Sequence, residues 1–377
     1  MLYWLLYETL QPYFGPLRLF GYVTFRTAMA SLTALFLAIV LGPWLIRRLR
    51  RLQIGQYIRE DGPKSHQKKA GTPTMGGVLI IVSVVVPTLL FVNLRNVQIW
   101  IALFGLLSFG LIGFHDDYTK IRKARNLGLT ARTKFGLQVL AALVIGVLLS
   151  IMHFKGMYTT AMNVPFFKQF KPELLLDRFL ESAVTYPLAF VFFYAFLVLV
   201  IVGSANAVNL TDGLDGLAIG LMVIAAGAMT VLSYVSGHAV FADYLELSRV
   251  PGAHELTIFC GALTGASLGF LWYNCHPAEV FMGDVGSLAL GGALGTVAVL
   301  IKQEILLIFV GGVYVVEALS VMLQVGSFKL RGERIFKMAP IHHHFEVIGW
   351  PESKIIIRFW IAGLVMALFA LTTLKLR

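Results

Sequence analysis

The chain contains 377 residues, of which 58% are hydrophobic and 14% are charged, whereas soluble domains average about 45–50% apolar and about 25% charged residues. This composition excludes an ordinary soluble globular protein and predicts a protein that crosses a membrane many times. Lys and Arg exceed Asp and Glu by 11, an excess that usually fixes the orientation of a membrane protein, so no nucleic acid partner is expected. Cys260 and Cys275 cannot form a disulfide framework and are expected to be free thiols.

Residues 1–21 contain several aromatic side chains but no basic leader region and no small-residue cleavage site. They predict an interfacial N-terminal segment on the outer face rather than a signal peptide. Ten apolar runs follow, which suit membrane helices of about 17–25 residues and are too continuously apolar for barrel strands. The predicted spans are Tyr22–Ile46, Gly76–Val92, Val97–Phe114, Phe135–Met152, Val184–Ser204, Gly216–Tyr234, Glu255–Leu271, Val285–Ile301, Ile305–Gln324 and Ile355–Leu374. We expect an all-α integral membrane protein with one polytopic domain over residues 1–377.

Basic residues fall mainly in the odd-numbered connections between these spans. The odd connections contain 19 Lys and Arg residues, and the even ones contain 7. By the positive-inside rule, the odd connections are cytoplasmic and both termini lie on the external, periplasmic side. Residues 325–354 then form a cytoplasmic connection between spans 9 and 10.

Acidic and histidine-rich motifs lie in the same odd connections or at the helix ends beside them. These motifs are KKAGTPTMGG at 68–77, HDDYTK at 115–120, NAVNLTDGLDGL at 206–217, FMGDVGS at 281–287 and APIHHHFE at 339–346. Because five separate segments are predicted to meet at one membrane face, that face is the candidate functional site.

The adjacent carboxylates Asp116 and Asp117 would point about 100° apart on a helix and need not share a proton. They suit a divalent cation, a general base, or one of each, because Mg²⁺ prefers oxygen ligands. Solvation of a helix end is the alternative for this motif taken alone.

Asp212 and Asp215 lie three residues apart, and each is followed by a glycine that permits close approach of a ligand. Asn206 and Asn209 have the same spacing and would share one side of a helix end, where they could hydrogen-bond a nucleobase or sugar. A calcium loop is disfavoured because the twelve-residue ligand spacing that ends in Glu is missing.

Asp284 precedes predicted span 8, where free backbone N–H groups and the helix dipole attract phosphate. A carboxylate there can hold Mg²⁺ against the phosphate, and an N-cap is the alternative. His342–His344 are consecutive, so one metal ion is not expected to bind all three, although imidazoles can hydrogen-bond a phosphate and zinc is a weaker alternative.

Lysines flank several of these motifs, and a diphosphate could be neutralised by Lys68, Lys69, Lys120 and Lys134. For each lysine taken singly, however, the orientation signal is the favoured explanation. Glu317 falls near the middle of predicted span 9, with no basic partner visible in the sequence at similar depth. A hydrogen bond to a neighbouring helix is favoured over a proton relay in a transporter.

Taken in order, the motifs resemble those of the polyprenyl-phosphate N-acetylhexosamine-1-phosphate transferases. The resemblance extends from Asp61–Gly62–Pro63 through GTPTMGG, HDDYTK, NLTDGLDGL and FMGDVGSLALGG to RIFKMAPIHHHFE. Single motifs are unspecific, whereas five in the family's order on one predicted face are specific. The histidine triplet with its flanking MAP and FE is similar to the muramoyl-pentapeptide branch rather than the N-acetylglucosamine-1-phosphate branch.

The resemblance implies Mg²⁺-dependent transfer of phospho-N-acetylmuramoyl-pentapeptide from its UDP-activated form to undecaprenyl phosphate, which yields lipid I and UMP. It also implies a homodimer in the bacterial cytoplasmic (inner) membrane with a cytoplasmic active site. Such an enzyme would catalyse the first membrane step of peptidoglycan synthesis and so support cell shape and division.

The resemblance also implies roles for individual residues. Asp284 matches the Mg²⁺ ligand, Asp116 and Asp117 match the acidic pair near the lipid phosphate, and His343 matches an active-site group. The implied substrate-binding positions are Lys69, Thr74, Lys120, Lys134, Asn206, Asn209, Asp212, Asp215, Asn274, Phe281, His342 and His344. Phe281 would stack on uracil.

Two questions stay open in the sequence. The lipid phosphate could attack the donor directly, or an aspartate could attack first and form a phospho-enzyme; direct attack is favoured because a phosphate monoester is largely deprotonated at neutral pH. An ion-coupled transporter is the rival class, but its polar site would lie near the bilayer midplane rather than at one edge.

Overall fold

The structure is a computed structural model that describes residues 1–52, 71–123, 128–167, 170–173 and 185–375. Its described secondary structure is helical, apart from isolated bridge residues at Pro73, Ala161 and Glu173. Short helical segments at Tyr3–Leu10 and Gly15–Gly21 precede the first long helix. The α-helices are α1 Val23–Arg51, α2 Gly77–Phe91, α3 Val97–Arg122, α4 Ala131–Phe154, α5 Thr185–Thr211, α6 Leu217–Gly237, α7 Ala239–Tyr244, α8 Leu256–Asn274, α9 Gly283–Leu300, α10 Glu304–Val310, α11 Gly312–Arg331, α12 Ile341–Val347 and α13 Glu352–Thr373.

The predicted all-α, multi-pass membrane fold is confirmed. Within the described residues, nine helices are long and apolar enough to cross a membrane: α1, α3, α4, α5, α6, α8, α9, α11 and α13. The remaining predicted span corresponds to α2, which has only 15 residues. At 1.5 Å per residue α2 is about 22 Å long, which is shorter than the hydrocarbon core of about 30 Å.

The prediction of one continuous span over Ile305–Gln324 is wrong. This region contains two helices, α10 and α11, which are separated at Gly311. The adjacent glycines Gly311 and Gly312 have low helix propensity, so a break here costs little. The second helix continues to Arg331, with basic side chains in its last turn that favour the helix dipole. Part of the predicted connection at 325–354 is therefore helical.

The two most buried membrane helices, α8 and α9, form the centre of the bundle. Helix α9 packs against α3 and α5, and α8 packs against α1 and α6. Small residues allow close backbone approach between such helices: Gly113 of α3 lies against the Asp284 carbonyl, and Gly77 of α2 lies against Gly286. A Cβ atom at either glycine would overlap backbone atoms. Three helices are thereby brought together beside Asp284.

Two buried ion pairs lie at the opposite end of the bundle. Arg26 of α1 lies 2.8 Å from Glu255, just before α8, and Lys302 lies 2.6 Å from Glu304, at the start of α10. Charges in an apolar environment need such partners. The expected free thiols are confirmed, with Cys260 buried and Cys275 exposed.

Candidate active site

Three carboxylates from two helices form the centre of the candidate site. Asp116 and Asp117 lie in the last turns of α3, and Asp284 lies in the first turn of α9. One oxygen from each carboxylate falls within 4.8 Å of the others. Asp116 and Asp117 are buried, whereas Asp284 is partly exposed. The predicted convergence of these distant acids therefore occurs, and their oxygens form a set that could hold a divalent cation.

Two lysines neutralise these carboxylates. The Lys120 Nζ atom lies 2.7 Å from Asp116 Oδ2, 3.2 Å from Asp117 Oδ1 and 2.8 Å from Asp284 Oδ2. Lys134, in the first turn of α4, lies 2.7 Å from the same Asp284 oxygen. Although Asp116 and Asp117 are adjacent on a helix, Lys120 joins both of them because it lies one turn further along the same face.

Backbone N–H groups complete the acidic cluster. The N–H of Val285 donates to Asp117 Oδ2 over 3.2 Å, and the N–H of Leu129 donates to Asp116 Oδ1 over 2.7 Å. Gly283 begins α9 with a φ of +69°, a conformation that favours glycine. A Cβ atom at this position would overlap Asp117 Oδ2 and the Thr74 hydroxyl, so a side chain here would displace both. The predicted helix start at Asp284 is thus an anion-capped terminus.

The two candidate asparagines of α5 have different surroundings. The Asn209 amide donates to Asp284 Oδ1 over 2.8 Å and to the Ser287 hydroxyl over 2.7 Å. Asn206, one turn earlier, donates to Gln138 Oε1 over 2.7 Å. Asn209 therefore belongs to the carboxylate cluster, whereas Asn206 joins α5 to α4.

A polar turn between α5 and α6 contains Asp212 and Asp215. Burial, together with the negative charges of Asp284, Asp117 and Asp215, raises the pKa of Asp212 to about 8. The Asp212 N–H donates to the carbonyl of Asn209, whose side chain belongs to the carboxylate cluster. By contrast, Asp215 Oδ2 accepts a 3.0 Å hydrogen bond from the Ala278 N–H.

The loop before α9 is held by predicted site residues. Asn274 accepts from the Gly216 N–H over 3.1 Å and donates to the Val280 carbonyl over 2.8 Å. The Phe281 N–H donates to the Pro73 carbonyl, and the Gly76 N–H donates to the Phe281 carbonyl. These bonds hold the 71–77 segment, which includes Thr74, against the start of α9. Lys69 and Lys68 lie outside the described residues.

The three histidines lie on the short helix α12 and have different neighbours. The ring of His342 is fully buried, with its Nδ1 3.1 Å from Glu317 Oε2 of α11. The His343 Nδ1 lies 3.1 Å from Glu346 Oε2, and the His344 Nδ1 accepts from the Lys337 N–H over 3.2 Å. His342 is therefore the basic partner of Glu317 that the sequence did not reveal, because the two residues are 25 positions apart.

A second group of possible metal ligands was missed in the sequence. His276 Nδ1 lies 3.4 Å from Asp215 Oδ2 and 3.6 Å from Glu352 Oε2. The Glu352 Oε1 atom also accepts from the Asp215 N–H over 3.1 Å. No motif identifies His276 or Glu352, since they are isolated polar residues at the ends of predicted spans. Their contacts tie α13 to the 274–280 loop.

The chain is similar to known proteins over its whole length. The model of glycosyl transferase family 4 matches residues 99–302, and phospho-N-acetylmuramoyl-pentapeptide-transferase signature 1 matches residues 69–81. Proteins named phospho-N-acetylmuramoyl-pentapeptide-transferase from Koribacter versatilis and Solibacter usitatus are 65% and 66% identical, over 100% of both chains. One from Acidobacterium capsulatum is 64% identical over the same full length. The chain belongs to the phospho-N-acetylmuramoyl-pentapeptide-transferase family.

As a member of this family, the chain is an enzyme, and specifically a phosphotransferase. The matched segments include all three carboxylates, both clustered lysines and the 71–77 segment beside them. The polar cluster at the ends of α3 and α9 therefore lies in the part of the chain that matches the transferase family.

Proposed function

We propose that the enzyme transfers phospho-N-acetylmuramoyl-pentapeptide from UDP-N-acetylmuramoyl-pentapeptide to undecaprenyl phosphate, with Mg²⁺ as cofactor, and releases lipid I and UMP. The observation that carries this proposal is the cluster of Asp116, Asp117 and Asp284 around Lys120. Phosphoryl transfer depends mainly on positioning and charge neutralisation, and this cluster supplies carboxylates for a metal and ammonium groups for phosphates.

The carboxylate oxygens fit Mg²⁺ because this ion prefers oxygen ligands and completes its shell with water and substrate phosphate. Asp284 would be the principal ligand, since it is the most exposed of the three and Asn209 fixes one of its oxygens. When bound, Mg²⁺ would neutralise the charge of the transferred phosphate.

The acceptor lipid has a suitable site between α4 and α5. A cavity of about 480 Å³ is lined by Ala131, Arg132, Lys134, Phe135, Gln138 and Asn206. Lys134 joins this cavity to the cluster through its contact with Asp284. The Gln138 Nε2 donor is buried and has no hydrogen-bond partner among the described residues. We assign the phosphate end of undecaprenyl phosphate to this cavity, with the polyprenyl chain in the membrane.

The nucleotide donor is assigned to the turns around Asp212, Asp215, Asn274 and Phe281, which adjoin the cluster on its other side. Phe281 is partly exposed and is available to stack on a base. In the direct reaction, an acceptor phosphate oxygen attacks the donor β-phosphorus, the bond to the α-phosphate oxygen breaks, and UMP departs. Lys120 already pairs with all three aspartates, which lowers their nucleophilicity and favours direct attack over a phospho-enzyme.

The sidedness follows from the charges of the connections. The acidic cluster lies at the basic, odd-numbered ends of the helices, which the positive-inside rule assigns to the cytoplasm. We therefore propose a single polytopic domain in the bacterial inner membrane, with a cytoplasmic active site, periplasmic termini and a homodimeric assembly. This position suits a water-soluble nucleotide donor and a membrane-embedded acceptor. It would make the enzyme part of peptidoglycan synthesis, cell shape and cell division.

The proposal is tested by UMP release from purified enzyme with both substrates, with Mg²⁺ or with excess chelator. Mg²⁺-dependent release that requires undecaprenyl phosphate is expected. UDP-N-acetylglucosamine as the donor in a parallel reaction tests the neighbouring branch, and its preference over the muramoyl donor would contradict the substrate assignment. Substrate uptake into vesicles without UMP release would favour a transporter.

A further inference from the structure

Glu317 and His342 form a fully buried pair that the proposed chemistry does not use. Glu317 lies in α11 and His342 lies in α12, and both side chains are 0% exposed. Their Oε2 and Nδ1 atoms are 3.1 Å apart. None of the four polar atoms of these two side chains, including this Oε2 and Nδ1, makes a hydrogen bond within the described residues. The contact with His342 is therefore the one ion pair of Glu317 within the described residues, and the His342 ring also lies against the ring of His343.

The opposite edge of the His342 ring lies against the turn that contains Asp212. A Cβ atom at Gly213 would overlap His342 Nε2. The N–H of Asp212, the preceding residue, donates to the Asn209 carbonyl, and the Asn209 amide donates to Asp284. A chain of direct neighbours thus runs from Glu317 through His342 and the Gly213 turn to the carboxylate cluster.

The other parts of this region are fixed independently of the pair. The Tyr314 hydroxyl of α11 donates to the Ala218 carbonyl of α6 over 2.7 Å, and the Asp212 N–H donates to the Asn209 carbonyl. Helix α11 and the Asp212 turn are therefore anchored without His342. The seven-residue helix α12 has two side-chain anchors of its own: His342 pairs with Glu317 of α11, and Phe345 packs against Phe359 of α13.

We infer that Glu317 is a positioning residue, which holds the His342 ring beneath the Gly213 turn and thereby fixes α12, with its partly exposed His343, at the active site. The inference rests on the proposed function and extends it to the histidine segment. His342 consequently acts from inside the protein, and we do not assign it a substrate contact. Burial of an unpaired carboxylate costs free energy. Because Glu317 pairs with one imidazole of α12, that of His342, the pairing favours a single position of α12.

Replacement of the pair by apolar side chains separates positioning from stability. A buried ion pair replaced by apolar residues of similar size often leaves stability unchanged or raised. The variants are Glu317→Leu, His342→Leu and the double variant, and Glu333→Leu is the control because it removes an exposed carboxylate just beyond α11. The measurements are kcat and KM for UDP-N-acetylmuramoyl-pentapeptide by UMP release, together with thermal unfolding in detergent.

Each single variant is expected to lower kcat by about 100-fold, the loss that a displacement of about 1 Å can cause. The double variant should lose no more than the worse single variant, because both substitutions release the same helix. The KM for the nucleotide donor and the unfolding temperature should change little, and the control should behave like the wild type.

Three results would overturn the inference: normal kcat in folded Glu317→Leu, losses that multiply in the double variant, or loss of folded protein with normal kcat in the folded fraction. If the leucine variants do not fold, the same measurements are made on Glu317→Gln, His342→Gln and their double variant, whose side chains remain polar. A wild-type enzyme that releases no UMP would instead refute the proposed function, so the two failures are distinguishable.

Discussion

Asp284 is the residue on which most contacts of the site converge. Its carboxylate accepts hydrogen bonds from Lys120, Lys134 and the Asn209 amide at 2.7–2.8 Å. Three donors on one partly exposed carboxylate keep it ionised and fix its direction. A cation or phosphate that enters the site therefore meets a rigid, charged arrangement rather than a mobile side chain.

Replacement Asp284→Asn tests this residue. The amide keeps the shape but removes the negative charge, so turnover should fall by at least about 100-fold, the loss typical of a missing electrostatic group in an active site. UMP release over a Mg²⁺ titration measures the effect. Asp243→Asn, an exposed change on α7, serves as the control, and near-normal turnover of the Asp284→Asn enzyme would remove Asp284 as a metal ligand.

Lys134 is the basic group that the acceptor cavity shares with the cluster. Lys134→Gln should raise the apparent KM for undecaprenyl phosphate by about tenfold or more, since a hydrogen bond to a charged group contributes about 1.5–3 kcal/mol. Initial rates over a range of acceptor concentrations measure the change. Lys155→Gln is matched to it, because Lys155 lies exposed at the opposite end of the same helix. An unchanged acceptor KM would contradict the assignment of the cavity.

At the scale of helices, the site depends on how closely α3 and α9 approach each other. The α3 backbone at Gly113 lies against the Asp284 carbonyl, so the acids of α3 and α9 meet directly. Small residues at this contact allow the two helix backbones to lie close together. The carboxylate geometry is therefore set by residues that have no functional group.

The variant Gly113→Ala tests that spacing. The added methyl group overlaps backbone atoms, so α3 and α9 must separate, at an expected cost of about 1–3 kcal/mol in stability. Turnover should fall with it, although no charged side chain is changed. Thermal unfolding and UMP release measure the two effects. Gly227→Ala, a change on α6 into open space, should affect neither, and a fully active Gly113→Ala enzyme would show that the contact is adaptable.

At the scale of the whole molecule, two groups of charged residues lie at opposite ends of the bundle. The acids, lysines and histidines of the site lie at one end, and the buried pairs Arg26–Glu255 and Lys302–Glu304 lie at the other. In the first set Asp284, Lys120 and Lys134 are partly exposed, whereas both pairs of the second set are buried. This asymmetry is expected of an enzyme that works at one membrane surface.

The native thiol Cys275 reports the sidedness of the site. It is exposed at the end of α8 beside the 274–280 loop, whereas Cys260 is buried. A membrane-impermeant maleimide should label Cys275 in inside-out vesicles and not in intact cells. In a Cys275→Ser background, Tyr13→Cys provides the opposite control, because Tyr13 is 87% exposed near the N-terminus. Labelling of Cys275 from outside would reverse the proposed topology.

The sequence alone determined the membrane class, most of the spans and the family, because hydrophobic length and short motifs are local properties. It also predicted that Asp116, Asp117, Asp284, Lys120 and Lys134 belong to one cluster, since polar residues at the ends of apolar runs are conspicuous. Which residues touch which was decided by the tertiary structure. The Glu317–His342 pair, the His276 contacts and the break at Gly311 depend on packing between segments distant in sequence, and no local pattern encodes that packing.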